Sequence, residues 1–520
     1  MALKLHVIII RKGIPGPSIA RSQAVPWRSV NPVLHTLSHS LLIGFLAAGT
    51  GLLSAQAWIT NADRSSLFQR SAQPIAFREM AARGPAIVID PGLQMQSIDG
   101  FGFALTGGSA ELLMKMSPEA RANTLRQIFA SDGNHLGVSY LRVTIGASDL
   151  NSFVYSYDDL APGETDFELK KFDLGHDRRE VLPVLKEILA IAPGMRILGS
   201  PWSAPAWMKS NNDVRGGALK EECYPTYALY LVKYIQEMKN QGIEIDAITI
   251  QNEPLNAKNT PSMQWQLNQQ LVFLRDHLYP AFQKAGLRTK VVLFDHNLDR
   301  PDYPLALLSD PVISQFADGS GFHHYGGDMS AMSKVHEARP DKNIYFTEQM
   351  ITERPGSASI GIAGAVKRMI IDTTRNWSRN VILWNLAADS NNNPHTGNGG
   401  CSMCQGAITI DGDAVSMNLA YYTIAHASKF VRPGSVRIGS TNRGDQTVGL
   451  TEDEERPDVK RIGVVENSQV LPNVAFRTPE GKFVLIVAND TDTASSFPVR
   501  YGGQTATVRL NAGSVGTFVW

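Results

Sequence analysis

Residues 247–254 read AITIQNEP, a run of β-branched and small apolar residues that passes through Asn252 to a carboxylate, Glu253, and a strand-stopping Pro254. A second run, IYFTE at 344–348, ends in the same way on Glu348. Six more β-rich runs fall at 98–105, 139–145, 196–201, 290–295, 320–325 and 381–386. Stretches of helical length and periodicity lie between the runs, among them 118–130, 179–191, 227–241, 263–285 and 360–376. Eight β runs alternating with helices over about 330 residues is the pattern of a (β/α)8 barrel with some enlarged loops. The two glutamates close the fourth and seventh runs, 95 residues apart. That is about 32 residues for each of three βα units, close to the ~31 of a 250-residue barrel. A doubly wound open sheet is the alternative, but it asks for a G-x-G-x-x-G turn after its first strand. The local glycines, Gly100, Gly102, Gly107 and Gly108, lack that spacing.

From residue 431 the texture changes to short alternating runs and turns, at 435–439, 470–477, 482–487, 496–501, 506–510 and 515–520, which read as an antiparallel β-sandwich. Residues 58–97 hold β-like pieces at 58–60 and 86–89 that complete the sandwich from the other end of the chain. The expected fold is therefore α/β: a TIM barrel over 98–430 with an appended antiparallel β-sandwich built from 431–520 and the N-terminal strand region 58–97. The charge-dense stretch TEDEERPDVK, 451–460, reads as a solvated loop.

Residues 1–57 stand apart. They carry Lys4, Arg11, Lys12, Arg21 and Arg28 with no acidic residue, then an uncharged apolar run at 41–54, then Ala55-Gln56-Ala57. A basic segment, a short apolar segment and an A-x-A site make an export signal cut near Ala57. The protein is thus expected in the periplasm or secreted; an uncleaved anchor is the alternative. The whole chain of 520 residues balances 49 Lys+Arg against 49 Asp+Glu, but the leader holds five of the bases, so the remainder is mildly acidic. Nucleic acid and anionic membranes are therefore poor partners, and a neutral substrate is the natural one. Three cysteines, Cys223, Cys401 and Cys404, supply neither a disulfide scaffold nor four thiolates for zinc.

Catalytic groups of a barrel sit at the C-terminal ends of its strands, so Glu253 and Glu348 face one pocket. Paired carboxylates across a pocket suit glycosidic cleavage, one protonating the leaving oxygen and one attacking the anomeric carbon. Asn252 beside Glu253 offers an amide to a sugar hydroxyl. Trp202 and Trp384, at strand ends, are placed as sugar platforms, whereas Trp207 and Trp377 read as core. His323 and His324 invite a metal reading, but neighbouring strand residues point to opposite faces and the sequence offers no third ligand, so no metal and no other cofactor is expected. The loop 389–406 (DSNNNPHTGNGGCSMCQG) shapes the same rim, and its C-x-x-C reads as a local disulfide in an exported protein.

Together with these, seven fragments resemble the glucosylceramidase-like glycoside hydrolases, family 30, a retaining group of barrel enzymes. They are IDGFGFALTGGSA (98–110), YLRVTIGASDL (140–150), LGSPWSAPAWMKSN (198–211), TIQNEP (249–254), FHHYGG (322–327), YFTEQ (345–349) and ILWNLA (382–387), and the likeness runs over roughly 58–520. The resemblance implies that Glu253 is the acid/base and Glu348 the nucleophile, with Asp149, Trp202, Asn252 and Trp384 as ligands of the terminal sugar. It also places Tyr325 near the nucleophile. Arg142, inside the second strand, keeps Glu348 ionised or forms a structural ion pair. The expected activity is glucosylceramidase-like retaining hydrolysis of β-glucosidic bonds in a β-glucan, glucosylceramide or related β-glycoside. An endo-β-1,6-glucanase or β-xylosidase of the same family, and a non-catalytic carbohydrate-binding protein, are the alternatives. In the expected mechanism burial raises Glu253 and cationic partners keep Glu348 ionised.

Overall fold

The computed structural model describes residues 53–79, 85–353, 360–443, 446–452, 460–467 and 469–520. Eight parallel strands close into a barrel: β1 Gly100–Leu105, β2 Tyr140–Ile145, β3 Arg196–Pro201, β4 Ala247–Thr249, β5 Lys290–Asn297, β6 Ala317–His323, β7 Asn343–Glu348 and β8 Ser378–Leu383. Closure comes from β8 pairing with β1, Asn380 opposite Gly100 through Leu383 opposite Phe103, which removes the open-sheet alternative. Inside, Tyr140, Leu198, Ala247, Val292, Tyr345 and Ile382 from six strands form one apolar layer. Outside, helices cover the strands, which is why the strands are buried on both faces and read as continuous apolar runs. The expected helices form at Pro118–Phe129, Val181–Ile191 and Tyr224–Asn240. Those at 263–285 and 360–376 are continuous helical runs over 267–285 and 361–375, each with a π-helical segment, Phe273–Leu278 and Lys367–Asp372.

Two strands end before the apolar runs that announce them. β4 stops at Thr249, because the Asn252 amide donates to Pro201 O (2.7 Å) and the Glu253 amide to Asp295 O (3.0 Å), carrying the chain between the ends of β3 and β5. β8 stops at Leu383, because Trp384 N instead donates to Gln349 O (2.9 Å). A small sheet of Ala387–Ala388, Ile408–Asp411 and Ala414–Met417 follows on this rim.

In the sandwich, strand Ser54–Thr60 pairs with Val515–Val519, which pairs with Phe483–Ala488, then Asn473–Arg477, Val436–Ser440 and the long N-terminal strand Ile87–Ser97. Ile87–Ser97 also pairs in parallel with Ser495–Tyr501, which forms a hairpin with Gln504–Leu510. Phe483–Ala488 shows why its sequence is apolar throughout: Leu485 and Val487 face the sandwich core, while Val484, Ile486 and Ala488 pack with the barrel core. Barrel and sandwich are further tied by His426, fully buried, with one ring nitrogen 2.9 Å from Thr517 Oγ1 and the other 2.8 Å from Thr60 Oγ1.

Residues 1–52 lie outside the described residues, and with them most of the apolar run assigned to the leader. The Ala55-Gln56-Ala57 assigned to a cleavage site is part of a sandwich strand, Ser54–Thr60. Ala55 and Ala57 are buried in the sandwich core, and Gln56 is paired with Val519, so a cut at Ala57 would remove an ordered half-strand. The stretch expected as a solvated loop, 451–460, begins and ends in the paired strands Gln446–Glu452 and Lys460–Asn467; 453–459 lie outside the described residues.

Candidate active site

The C-terminal end of the barrel gathers Glu253, Glu348, Arg142, Asn252, Trp202, Trp384, Tyr325 and Asp149, and adds two residues to which the sequence reading gave no catalytic part, Asp295 and His323. Arg142 projects from β2 into the barrel and is fully buried. Its Nη1 donates to Glu348 Oε2 (2.5 Å) and its Nη2 to Asp295 Oδ2 (2.8 Å), Asn252 Oδ1 (2.8 Å) and Ser200 Oγ (3.1 Å). One guanidinium thus holds the Glu348 carboxylate and joins it to Asp295, Asn252 and Ser200 of neighbouring strands. Because Asn252 presents its carbonyl oxygen to Arg142, its Nδ2 is the group left for a sugar hydroxyl.

Asp295 is brought inward by a bulge in β5. Phe294 lies opposite Gly321 and His296 opposite Phe322, leaving Asp295 as the extra residue, and Phe294 and Asp295 both adopt positive φ (73° and 57°). Its carboxylate accepts from Arg142, Ser200 Oγ (2.7 Å), Thr249 Oγ1 (2.7 Å), Thr347 Oγ1 (2.6 Å) and His323 Nε2 (2.9 Å). Burial alone would raise its pKa, but Arg142, His323 and the hydroxyl donors outweigh that and hold it far below the usual carboxylate range. Glu253 sits on a left-handed turn, φ 48°. Its Oε2 accepts from Asn256 Nδ2 (2.7 Å), and its Oε1 lies 3.3 Å from His323 Nδ1. Glu253 and Glu348 are both almost fully buried, at 7% and 6% exposure.

The pKa shifts of the two glutamates run opposite to those expected. Burial works to raise Glu253, but the bonded His323, and His296 behind it, bring it down to about 2. At Glu348 burial wins and the pKa rises, against the pull of His323 and Arg142. His323 itself, despite burial, is raised to about 9 by Glu348, Asp295 and Glu253. The physical reason is the charge balance of the cluster: three carboxylates stand against one guanidinium, so the imidazole between them is raised and the carboxylate it touches is lowered.

The tryptophans differ from the expected pair of open platforms. Trp202 and Trp384 stack on each other, centroids 5.1 Å apart, with the Arg142 guanidinium 4.8 Å from the Trp202 ring, and both are buried. They pack with Cys404 of the Cys401–Cys404 disulfide, so the loop carrying that bridge holds the aromatic floor. The same loop crosses the rim, where Thr396 N donates to Asp149 O (2.9 Å), Thr396 Oγ1 to Thr260 O (2.6 Å) and Arg215 Nη1 to Asn398 Oδ1 (2.8 Å). Asp149, buried beside Glu348 and Glu253, is raised to about 8, first by burial, and so presents a protonated carboxyl at neutral pH. Tyr325 leaves much of its ring exposed, while its hydroxyl accepts from Met350 N (2.9 Å) and is raised well above its usual value by burial, Glu348 and Glu253. Trp207 and Trp377 pack with the core, as read.

The metal reading needs revision in its premises. Glu253, His323 and Glu348 each offer a ligand atom, all within 4.8 Å of one another, so a third ligand exists. The atoms that face one another are His323 Nδ1, Glu253 Oε1 and Glu348 Oε1, while Asp295 holds the far ring nitrogen, Nε2, and Arg142 on Glu348 Oε2 already supplies the positive charge a cation would bring. His324 takes no part, its Nδ1 being buried without a partner away from the cluster. The 4.8 Å limit also puts the two carboxylates on the close side of the ~6.5–9.5 Å needed to fit a water between them in inversion.

Comparison with known proteins identifies both domains. Residues 98–431 match the glycosyl hydrolase family 30 TIM-barrel domain, and residues 458–518 the family 30 beta sandwich domain. An endo-1,6-beta-D-glucanase of Neurospora crassa is 33% identical over 410 residues, covering 75% of this chain and 82% of its own. The lysosomal acid glucosylceramidase of Mus musculus is 25% identical over 416 residues, covering 74% and 77%. A solved endo-beta1,6-glucanase superposes with a TM-score of 0.78 at 32% identity, covering 90% of this chain and 99% of its own.

Proposed function

The chain belongs to glycosyl hydrolase family 30 and is a glycosidase, and from that premise we propose that it cleaves β-1,6-linked glucan internally with retention of configuration. The glucosylceramidase-like reading favoured by the sequence fragments gives way to its alternative. The endo-1,6-β-glucanase relatives stand at 33% and 32% identity, the mouse glucosylceramidase at 25%. The observation that carries the chemistry is the pair of buried carboxylates within 4.8 Å, one bound to Arg142 and one to His323. Glu348 attacks the anomeric carbon while Glu253 delivers a proton to the leaving oxygen; water then attacks the glycosyl-enzyme with Glu253 as base. Asp149 and Asn252 donate to sugar hydroxyls, and the stacked tryptophans form the floor under the ring.

Incubation with β-1,6-glucan, glucosylceramide, and aryl β-glucoside and β-xyloside tests the substrate. The expected result is a ladder of β-1,6-oligosaccharides, formed first as β-anomers by NMR. Glucose alone from the polymer, or faster turnover of glucosylceramide, would overturn the endo-glucanase reading. An α-anomer formed first would overturn retention. The basic and apolar leader supports export, with the cut upstream of Ser54 so that the first sandwich strand survives. N-terminal sequencing of the exported form checks this.

A further inference from the structure

Asp295 has its acceptor positions filled by five donors, so His323 Nε2 is fixed as a donor toward it and the proton on that nitrogen is not free to leave. The other ring nitrogen, Nδ1, faces Glu253 Oε1 at 3.3 Å and Glu348 Oε1 at 3.7 Å. A bare lone pair there would point at two carboxylate oxygens with nothing between them. The geometry therefore requires one proton between Nδ1 and Glu253 Oε1, and the ring's full burial keeps water from supplying it. Among the described residues, the remaining groups near the ring are His296 (centroids 6.4 Å) from the same strand as Asp295, Tyr325 (6.3 Å) after β6, and Arg142 through Asp295. None of them gives Nδ1 a competing partner.

We propose that His323 stores the proton that Glu253 uses: Asp295, His323 and Glu253 form a relay in which the imidazole is a positioning residue acting through Glu253. The proposal rests on Glu253 as acid/base. In the first step Nδ1–H passes its proton to Glu253 Oε1, leaving a neutral imidazole and a carboxylic acid. The acid protonates the leaving oxygen as the C–O bond breaks, its electron pair going to that oxygen, while a lone pair of Glu348 forms the new bond to carbon. In the second step water attacks the same carbon and the electron pair of that bond returns to Glu348. The water proton goes to Glu253 Oε1 and back to Nδ1. The imidazole starts and ends the cycle as a cation.

This arrangement explains how a carboxylate held near 2 works as an acid: the pair, not the carboxyl alone, keeps the proton, and His323 is raised to about 9. The test is the pH profile of kcat/KM for His323→Gln, whose amide keeps a donor toward Asp295 but cannot titrate. Phenyl β-glucoside, which needs acid assistance, is compared with 2,4-dinitrophenyl β-glucoside, which does not. The alkaline limb for the phenyl substrate should move at least one pH unit toward acid, with a much smaller loss on the dinitrophenyl substrate. A uniform loss with the limb unmoved would mark a purely structural histidine and overturn the relay. Glu253→Ala separates the two readings. If it keeps full activity on the phenyl substrate, the acid/base reading itself fails; if azide rescues it while the His323→Gln limb stays put, only the relay fails. Should His323→Gln not fold, NMR of ring-labelled histidine in the wild-type protein decides. His323 should be cationic at pH 7 and titrate lower in Glu253→Gln, and a neutral His323 at pH 6 would overturn the proposal.

Discussion

The barrel has a charged network at each mouth, separated by the apolar layer of Tyr140, Leu198, Ala247, Val292, Tyr345 and Ile382. At the N-terminal mouth Asp99 is paired with Arg196 (2.9 Å) and Arg379 (2.8 Å). Asp318 takes Lys290 (3.4 Å), Asn343 Nδ2 (2.8 Å) and Tyr345 OH (2.5 Å). Cations there match or outnumber the acids, and the basic side chains reach solvent. At the C-terminal mouth three carboxylates share one guanidinium and one imidazole, with every group buried. The first network is satisfied and closes a barrel end. The second is short of positive charge and so raises the imidazole that sits between its carboxylates, which brings a proton-carrying group next to the acid that a site exchanging protons needs.

The largest break in this contrast is Glu348→Gln. Turnover of aryl β-glucoside should fall by about four orders of magnitude or more, as for loss of a nucleophile. The urea midpoint should stay level or rise, because the substitution removes one charge from an over-acidic cluster while Arg142 keeps Asp295. An active Glu348→Gln variant would refute the nucleophile assignment. A covalent fluorosugar adduct on another residue would refute it as well.

Next in size is pH. His323 is raised in the folded protein, to about 9 from 6.5, so the stability it contributes is fully present below pH 6.5 and lost as pH rises through 9. The loss is on the order of 3 kcal/mol. Asp295 and Glu253 are depressed, so their contributions are present above the ordinary carboxylate range and lost as pH falls below it. Unfolding free energy measured from pH 6 to 10 should therefore fall, and in His323→Gln the fall should flatten. A wild-type curve already flat over that range would contradict the charged imidazole.

The N-terminal network predicts the opposite phenotype. Asp99→Asn leaves two guanidiniums without their shared carboxylate, but these are a quarter to a third exposed, so the cost is discounted to about 2 kcal/mol from the 3–5 of a fully buried pair. Denaturant unfolding should show that loss with kcat unchanged. A fall in kcat at full stability would join the two mouths into one functional unit.

The contrast also explains what the sequence could announce. The barrel was legible because strand ends repeat at a fixed spacing, and Glu253 and Glu348 because each ends an apolar run on a carboxylate. Asp295 also ends an apolar run, but it reaches the site through a bulge of two positive-φ residues that neither Phe294 nor Asp295 advertises by type. His323 was set aside on strand alternation, yet inward-facing is what alternation makes it; its partners lay 28, 70 and 25 residues away and could be found only by folding. The pKa reversal was invisible for the same reason, since it depends on which carboxylate the imidazole touches. Ala55-Gln56-Ala57 gave no sign of its strand because small residues suit a cleavage site and a tightly packed strand equally well. The small sheet after Leu386 went unread because its strands are only two to four residues long.

The smallest expected effect tests whether the apolar layer insulates one mouth from the other. Tyr345 belongs to that layer by its ring and to the N-terminal network by its hydroxyl, and it lies on β7 three residues before Glu348. Tyr345→Phe keeps the ring and removes only the bond to Asp318, so stability should fall by about 1 kcal/mol, the net worth of such a hydrogen bond where the acceptor is partly solvated. Glu348 is held by Arg142 from across the barrel, not by anything below it, so kcat and both limbs of the pH profile should match wild type. A shifted acid limb would mean that β7 transmits a displacement of its lower half to the nucleophile, and the two networks would have to be treated as coupled.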